Sequence, residues 1–256
     1  MAKGLDCGTS YYIAATEKSM KKQRNVFLTV DGDAKQVKRM LKRQNIPFVE
    51  KSGKVHIVGQ HAFNYAQIFS TTELRRPMAS GLLNPQERDA LPVLNAIVGE
   101  LIGKGRKKKG KDEVCVYCIP AKPIDQTREV SYHEDVLQQI IAGYGYNVKV
   151  GYGYNVKVVE ESIALAYEGL VDNDLTGIAI SMGAGMCNIC VMYQGMSSLS
   201  FSVARGGDWI DQNVANDCGC PVAKVTSVKE SSSNLDLTKS AINDIYQEGS
   251  EEYNII

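Results

Sequence analysis

The stretch that most constrains this chain is Gly4-Leu5-Asp6-Cys7-Gly8-Thr9-Ser10-Tyr11-Tyr12-Ile13-Ala14-Ala15. It reads as a strand, a tight turn and a second strand, because Gly8 takes positive φ at no steric cost and lets the chain reverse. The turn offers backbone N–H groups and the hydroxyls of Thr9 and Ser10, the donors a phosphate needs at close range. Asp6 adds a carboxylate, and a hydrated magnesium ion on such phosphates asks little more of a protein. An ordinary glycine hairpin has the same pattern, so this stretch gains its meaning from a second one. Gly177 to Met192 again runs from an apolar strand, through Gly183 and Gly185, into another apolar strand. Two such hairpins in the two halves of one chain point to two similar lobes facing one nucleotide.

Four further segments stand between and after them: Arg76-Pro77-Met78-Ala79-Ser80-Gly81, Val116 to Pro120, Val159-Glu160-Glu161-Ser162 and Arg205-Gly206-Gly207-Asp208. Taken in order with Asp6 to Ser10 and Gly183 to Gly185, they resemble the actin, Hsp70 and sugar-kinase superfamily, most closely the bacterial actin homologue MreB. The resemblance covers about residues 1 to 230. It implies an α/β chain with the actin-like ATPase (ribonuclease H-like) fold, two lobes with mixed βββαβαβα sheets. The first lobe is then residues 1–176, with a small inserted subdomain at about 31–75, and the second begins over 177–256. The family continues into a late glycine pair that packs on adenosine. That motif is absent here, so the second lobe is expected to be incomplete.

Composition agrees with a globular chain: 256 residues, 44% hydrophobic and 23% charged. The formal net charge is zero, so no global field favours nucleic acid or an anionic membrane. No apolar leader follows Lys3, and the uncharged stretch from Gly177 to Ser202 carries glycines, serines, Asn188 and Gln194 that fit strand–turn–strand better than a membrane span. A cytoplasmic location with free thiols is expected for the seven cysteines.

Along the chain, strands are expected at 25–30, 47–49, 55–58 and 113–119, and helices at 36–43, 61–69, 85–102 and 159–169. Ser131 and Glu134 have capping-box spacing for a helix to about Ala142. The basic run Gly103 to Lys111 lacks interleaved aromatics and reads as a solvated loop. Gly143 to Val150 is repeated without change as Gly151 to Val158. Removing one copy restores the helix–strand–helix spacing of the MreB-like pattern, so one copy should be extruded, since both cannot fill one strand position. From 177 the opening strands recur at 177–181, 187–193 and 197–203, followed by a helix from Trp209.

In the resemblance, the first cradle supplies Asp6, near the magnesium waters, with Gly8, Thr9 and Ser10. The second supplies Gly183, Ala184 and Gly185. Glu161 matches the acidic residue that orients or activates the attacking water, a general-base role; a solvated helix carboxylate would look the same in sequence. Gly206, Gly207 and Asp208 precede a helix whose N–H groups could face phosphate or ribose, or Asp208 could simply cap it. Lys229 and Glu230 lie where relatives contact ribose or adenine. One departure is Ser181, where the family's second cradle begins with Asp; it keeps an oxygen and loses a charge, which predicts slow or absent hydrolysis. The close pairs Cys115/Cys118, Cys187/Cys190 and Cys218/Cys220 read as structural thiols in preference to zinc ligands. The resemblance thus implies an actin-like protein that binds ATP and Mg2+, forms homo-oligomeric filaments in a cell-shape cytoskeleton and meets membrane-associated protein partners. The alternatives are a non-hydrolysing actin-fold scaffold, and an Hsp70-like or small-molecule kinase relative.

Overall fold

A computed structural model describes residues 2–30, 33–68, 74–105, 113–144, 147–149 and 159–231. The chain opens with a meander, β1 (Ala2–Cys7), β2 (Tyr11–Thr16) and β3 (Ser19–Arg24). β3 is a difference from sequence expectation, which put the third strand at 25–30. It is an outer strand, paired only with β2, and its first four residues, Ser-Met-Lys-Lys, are exposed. An edge strand protected by lysines has no apolar alternation to read.

The segment expected as that third strand instead starts a separate sheet. Asn25 leaves β3 and turns back on the first hairpin, its side chain donating to Gly8 O at 3.2 Å and its N–H to Ser10 O at 2.9 Å. β4 (Phe27–Val30), α1 (Ala34–Arg43), β5 (Phe48–Lys51), β6 (Lys54–Val58), α2 (Gly59–Ile68) and β7 (Leu74–Arg75) follow, with sheet order β5-β6-β4-β7. The buried side chains Val26, Leu28, Leu41, Ile46, Val55, Ile57 and Ala62 give this unit its own small core.

A short hairpin, β8 (Met78–Ala79) and β9 (Leu82–Leu83), leads to α3 (Ala90–Ile102). The helix begins five residues later than Pro85 predicted. Asn84 forms a turn first, accepting from Gln86 and Glu87 N–H groups, and Asp89 offers its carboxylate to Arg75 and Lys51 in place of capping. β10 (Val114–Ile119) joins β1 in parallel, and α4 (Val130–Gly143) returns over the sheet. The capping box does not form: Ser131 lies inside α4, and its hydroxyl donates to Glu129. Leu5, Cys7, Tyr12, Cys115, Tyr117 and Ile119 from one sheet face bury against Val93, Leu94, Ile97 and Val98 of α3 and Leu137 and Ile141 of α4.

The tandem repeat meets this sheet at β11 (Asn147–Lys149) and β12 (Val159–Glu160), both parallel to β10 on one edge. Lys149 stands opposite Val116 and Val159 opposite Cys118. An unbroken strand in that register would bring position 151 opposite Cys118. Val159 stands there instead, eight residues further on, which is the length of one copy. The surplus therefore falls between the two strand pieces and leaves the pairing in phase. The second copy lies outside the described residues, as do Arg106 and the lysines at 107–111.

α5 (Glu161–Gly169) starts at Glu161, two residues later than expected, because Val159 and Glu160 still pair with β10. A second antiparallel meander follows, β13 (Gly177–Met182), β14 (Cys187–Tyr193) and β15 (Met196–Val203), then α6 (Gly207–Cys218) and α7 (Val222–Ser231). α7 had no sequence expectation. It packs on α6 through Ile210, Val214, Ala215 and Val225, and through an ion pair of Lys229 with Asp211, which is fully buried on α6. Among the described residues no helix is long and apolar enough to cross a membrane.

Candidate functional site

The two glycine hairpins close in the same way. Gly8 N–H donates to Tyr11 O at 3.0 Å, and Gly183 N–H donates to Met186 O at 2.8 Å. Neither glycine is at positive φ, so the reason for Gly8 differs from the sequence argument. A Cβ there would stand 2.8 Å from the Tyr11 carbonyl oxygen, inside the turn's own hydrogen bond.

The hairpins touch. A Cβ on Gly185 would lie 2.2 Å from Thr9 Oγ1 and 2.4 Å from Gly81 N. Gly81 itself, at φ 74°, donates its N–H to Thr9 Oγ1 at 3.0 Å and leaves no room for a Cβ beside Met186. The Arg76–Gly81 segment is thus wedged between the hairpins, and only glycine permits the approach. Together they enclose a cavity of about 240 Å³. Its wall includes Asp6, Gly8, Thr9, Ser10, Glu161, Ser181, Gly183, Ala184 and Gly185.

Among the described residues, Asp6 and Glu161 are the carboxyl groups of that wall. Asp6 has open area toward the cavity, yet protein surrounds it, and this desolvation raises its pKa against the opposing hydrogen bond from the Cys7 backbone. Burial, and then the Asp6 charge, push Glu161 up to about 8. Without a cation nearby, Glu161 keeps its proton at neutral pH. Burial and the same two acids push the Cys118 thiol up to about 12, so no thiolate arises beside the cavity.

Asn188, which sequence reasoning passed over, sets the Glu161 carboxyl. Its Nδ2 donates to Glu161 Oε2 at 2.8 Å, while its Oδ1 accepts from Ala121 N–H at 3.0 Å. It is buried on β14, and the one signal for it was a polar residue inside an apolar strand. Asn25, behind the first turn, was legible only as the same kind of exception.

Gly206, Gly207, Asp208, Lys229 and Glu230 stand behind or beside the cavity and are not in its wall. The N–H groups of Gly207 and Asp208 donate to Gly183 O and Ala184 O, at 3.0 and 2.7 Å, so they brace the second hairpin from behind. A Cβ on Gly206 would meet those same carbonyl oxygens at 2.5 Å. The Asp208 carboxylate binds Arg76 at 2.6 Å, and Glu230 binds Arg24 at 2.6 Å. Lys229 reaches Asp211 and stands 3.2 Å from where a Gly207 Cβ would be. Among the described residues no group of three or more His, Cys, Asp or Glu could hold a metal. A metal here would have Asp6 and otherwise water or ligand oxygens.

A family model described as Volactin matches residues 1–248. The chain belongs to the Volactin family. No curated protein matches it. Among solved structures, this Volactin-family chain is similar to MreB 5 of Spiroplasma citri bound to AMPPNP, with TM-score 0.65, 11% identity, and coverage of 99% of this chain and 76% of that one. It is also similar to the MamK double helical filament, at TM-score 0.58 and 17% identity over 98% of this chain. A third is the ethanolamine utilization protein EutJ from Carboxydothermus hydrogenoformans, at TM-score 0.50 and 17% identity, covering 98% of this chain and 67% of that one. The fold is therefore actin-like, as the motif order implied. The Volactin-family chain spans 64% of the length of the MamK chain.

Proposed function

We propose that this Volactin-family chain binds ATP with Mg2+ between two lobes, residues 1–176 with an inserted subdomain at about 31–75 and residues 177–256, and assembles into filaments of its own kind. The observation that carries the reading is the meeting of the two like-built hairpins at Thr9 and Gly185 around one cavity. With the Asp6 carboxyl and no base in the wall, a bare triphosphate would meet no opposing charge, so the residues fit a phosphate chain that arrives with a divalent cation. Asp6 would hold the metal's water shell, and Thr9, Ser10, Ala184 and Gly185 the phosphate oxygens. Mg2+ held there would supply positive charge against the phosphates, and a cation beside Asp6 favours the ionised form of Glu161. Glu161, set by Asn188, then orients water.

At about 240 Å³ the cavity is below the usual range for a whole small ligand, roughly 300–1,000 Å³. It suits the phosphate and metal end, with the nucleoside beyond it toward Lys229 and Glu230. A neighbour solved with AMPPNP and another solved as a filament support both halves of the reading. A cytoplasmic, cell-shape role with membrane-associated protein partners follows the same analogy.

Ser181 favours a second reading, an actin-fold scaffold that binds nucleotide and hydrolyses it slowly or not at all. A fluorescent ATP analogue should bind saturably with Mg2+, lose binding with chelator or in Asp6→Ala, and promote pelleting. No saturable binding with Mg2+ would overturn the proposal. Brisk phosphate release by the unmodified protein would remove the scaffold reading, and a gain in Ser181→Asp would support it.

A further inference from the structure

The three close cysteine pairs are not alike. Cys115/Cys118 and Cys187/Cys190 each lie three residues apart in one strand. At about 3.3 Å per residue their Cα atoms are about 10 Å apart, out of reach of a disulfide. Cys218 and Cys220 straddle Gly219, which ends α6 at φ 60°, ψ 35°. That is the mirror image of a helical residue, and a helical step sets Cα atoms two apart at about 5.4 Å. Disulfides span Cα separations of about 4.4–6.8 Å.

The turn is fixed on both sides. Gly219 N–H donates to Asn216 O at 3.3 Å and Cys220 N–H to Ala215 O at 3.0 Å, a paired helix ending that glycine makes possible. Both thiols are half-buried and free, at the rim of the small core between α6 and α7. Burial, and after it the neighbouring Cys220, raise the Cys218 pKa, with Asp217 adding and Lys224 opposing.

We propose that Cys218 and Cys220 form a redox-responsive dithiol that closes to an intrachain disulfide when it meets a low-molecular-weight disulfide. One protein thiol gives up its proton and attacks a sulfur of the small disulfide, forming a mixed disulfide and releasing one small thiolate. The second protein thiol gives up its proton and attacks the protein sulfur of that bond, expelling the other small thiolate. Two protein thiols are oxidised, one small disulfide is reduced to two thiols, and the released protons go to the two thiolates. The bond would lie at the joint between α6, whose start braces the second hairpin, and α7. The inference stands apart from the nucleotide reading.

The test uses the folded full-length protein with oxidised glutathione, followed by alkylation, trypsin and mass spectrometry. The tryptic peptide spanning residues 206–224 contains Cys218 and Cys220 and no other cysteine. It should lose the mass of two hydrogen atoms and resist alkylation until reduced. Cys220→Ser, checked for folding by circular dichroism, should stop at one glutathione on Cys218. Two separate glutathiones on the wild-type peptide, unaltered alkylation of both thiols, or a link from either to another cysteine would each overturn the proposal.

Discussion

Glu161 gathers the site's electrostatics at one atom pair. Its folded pKa of about 8 lies above the ordinary 4.5, so between those values the folded chain keeps a proton that the unfolded chain has lost. The stabilisation is therefore full below pH 4.5 and is lost as pH rises toward 8. Glu161→Gln keeps the hydrogen-bonding shape without the titration. Its unfolding free energy should fall less steeply than wild type across that window in urea melts; equal slopes would show that burial does not hold the proton. Gly185 makes a second point. Gly185→Ala drives a methyl into Thr9 Oγ1 and Gly81 N, and should cost about 1–3 kcal/mol and at least tenfold in ATP–Mg2+ affinity. Gly183→Ala, whose Cβ would stand 3.4 Å from Met186 O, should cost much less, and similar thermal melts for the two would contradict the described contact. The glycines and acids were readable because they recur in spaced motifs. Asn25 and Asn188 stood out only as polar residues among apolar ones, since the partner each serves lies far along the chain.

Elements show the same division. The first hairpin, the second meander and the α3–β10–α4 crossover announced themselves by apolar runs broken at glycine and proline. β3 escaped because a lysine-protected edge has no buried alternation, and α7 because Lys229 owes its place to Asp211, eighteen residues away. The repeat is the sharpest case: the sequence showed one copy too many, and only the register of β11 and β12 on β10 shows where the excess falls. Deleting residues 151–158 joins the strand pieces in unchanged register. The variant should fold with the same secondary structure and gain on the order of 1 kcal/mol, through a shorter connection and a continuous ladder. A melting temperature lowered by several degrees would show that the second copy supports the fold.

Across the whole molecule the two hairpin systems are held together at their rims. Arg24–Glu230 and Arg76–Asp208 cross from the first system to α7 and α6, and the Asp125 carboxylate takes the Ala204 N–H. The Arg24 guanidinium is further seated on the rings of Phe63 and Tyr11, at 3.8 and 4.7 Å. Partly exposed pairs of this kind contribute up to about 1 kcal/mol each. Replacing Arg24 and Arg76 together by Ala should therefore leave the fold intact while loosening the cleft, seen as a larger radius of gyration in small-angle scattering and weaker ATP–Mg2+ binding. An unchanged radius with unchanged affinity would mean that the side-chain pairs do not set closure. The actin-like architecture was legible from motif order alone; the rim contacts were not, because charges 132 and 206 residues apart in sequence carry no mark of their pairing.

The in-phase placement of the duplicated octapeptide has an evolutionary side. Loss of one copy by a replication slip would keep the reading frame and every downstream strand partner. Either length would present the same partners to β10, so the sheet would tolerate one copy or two.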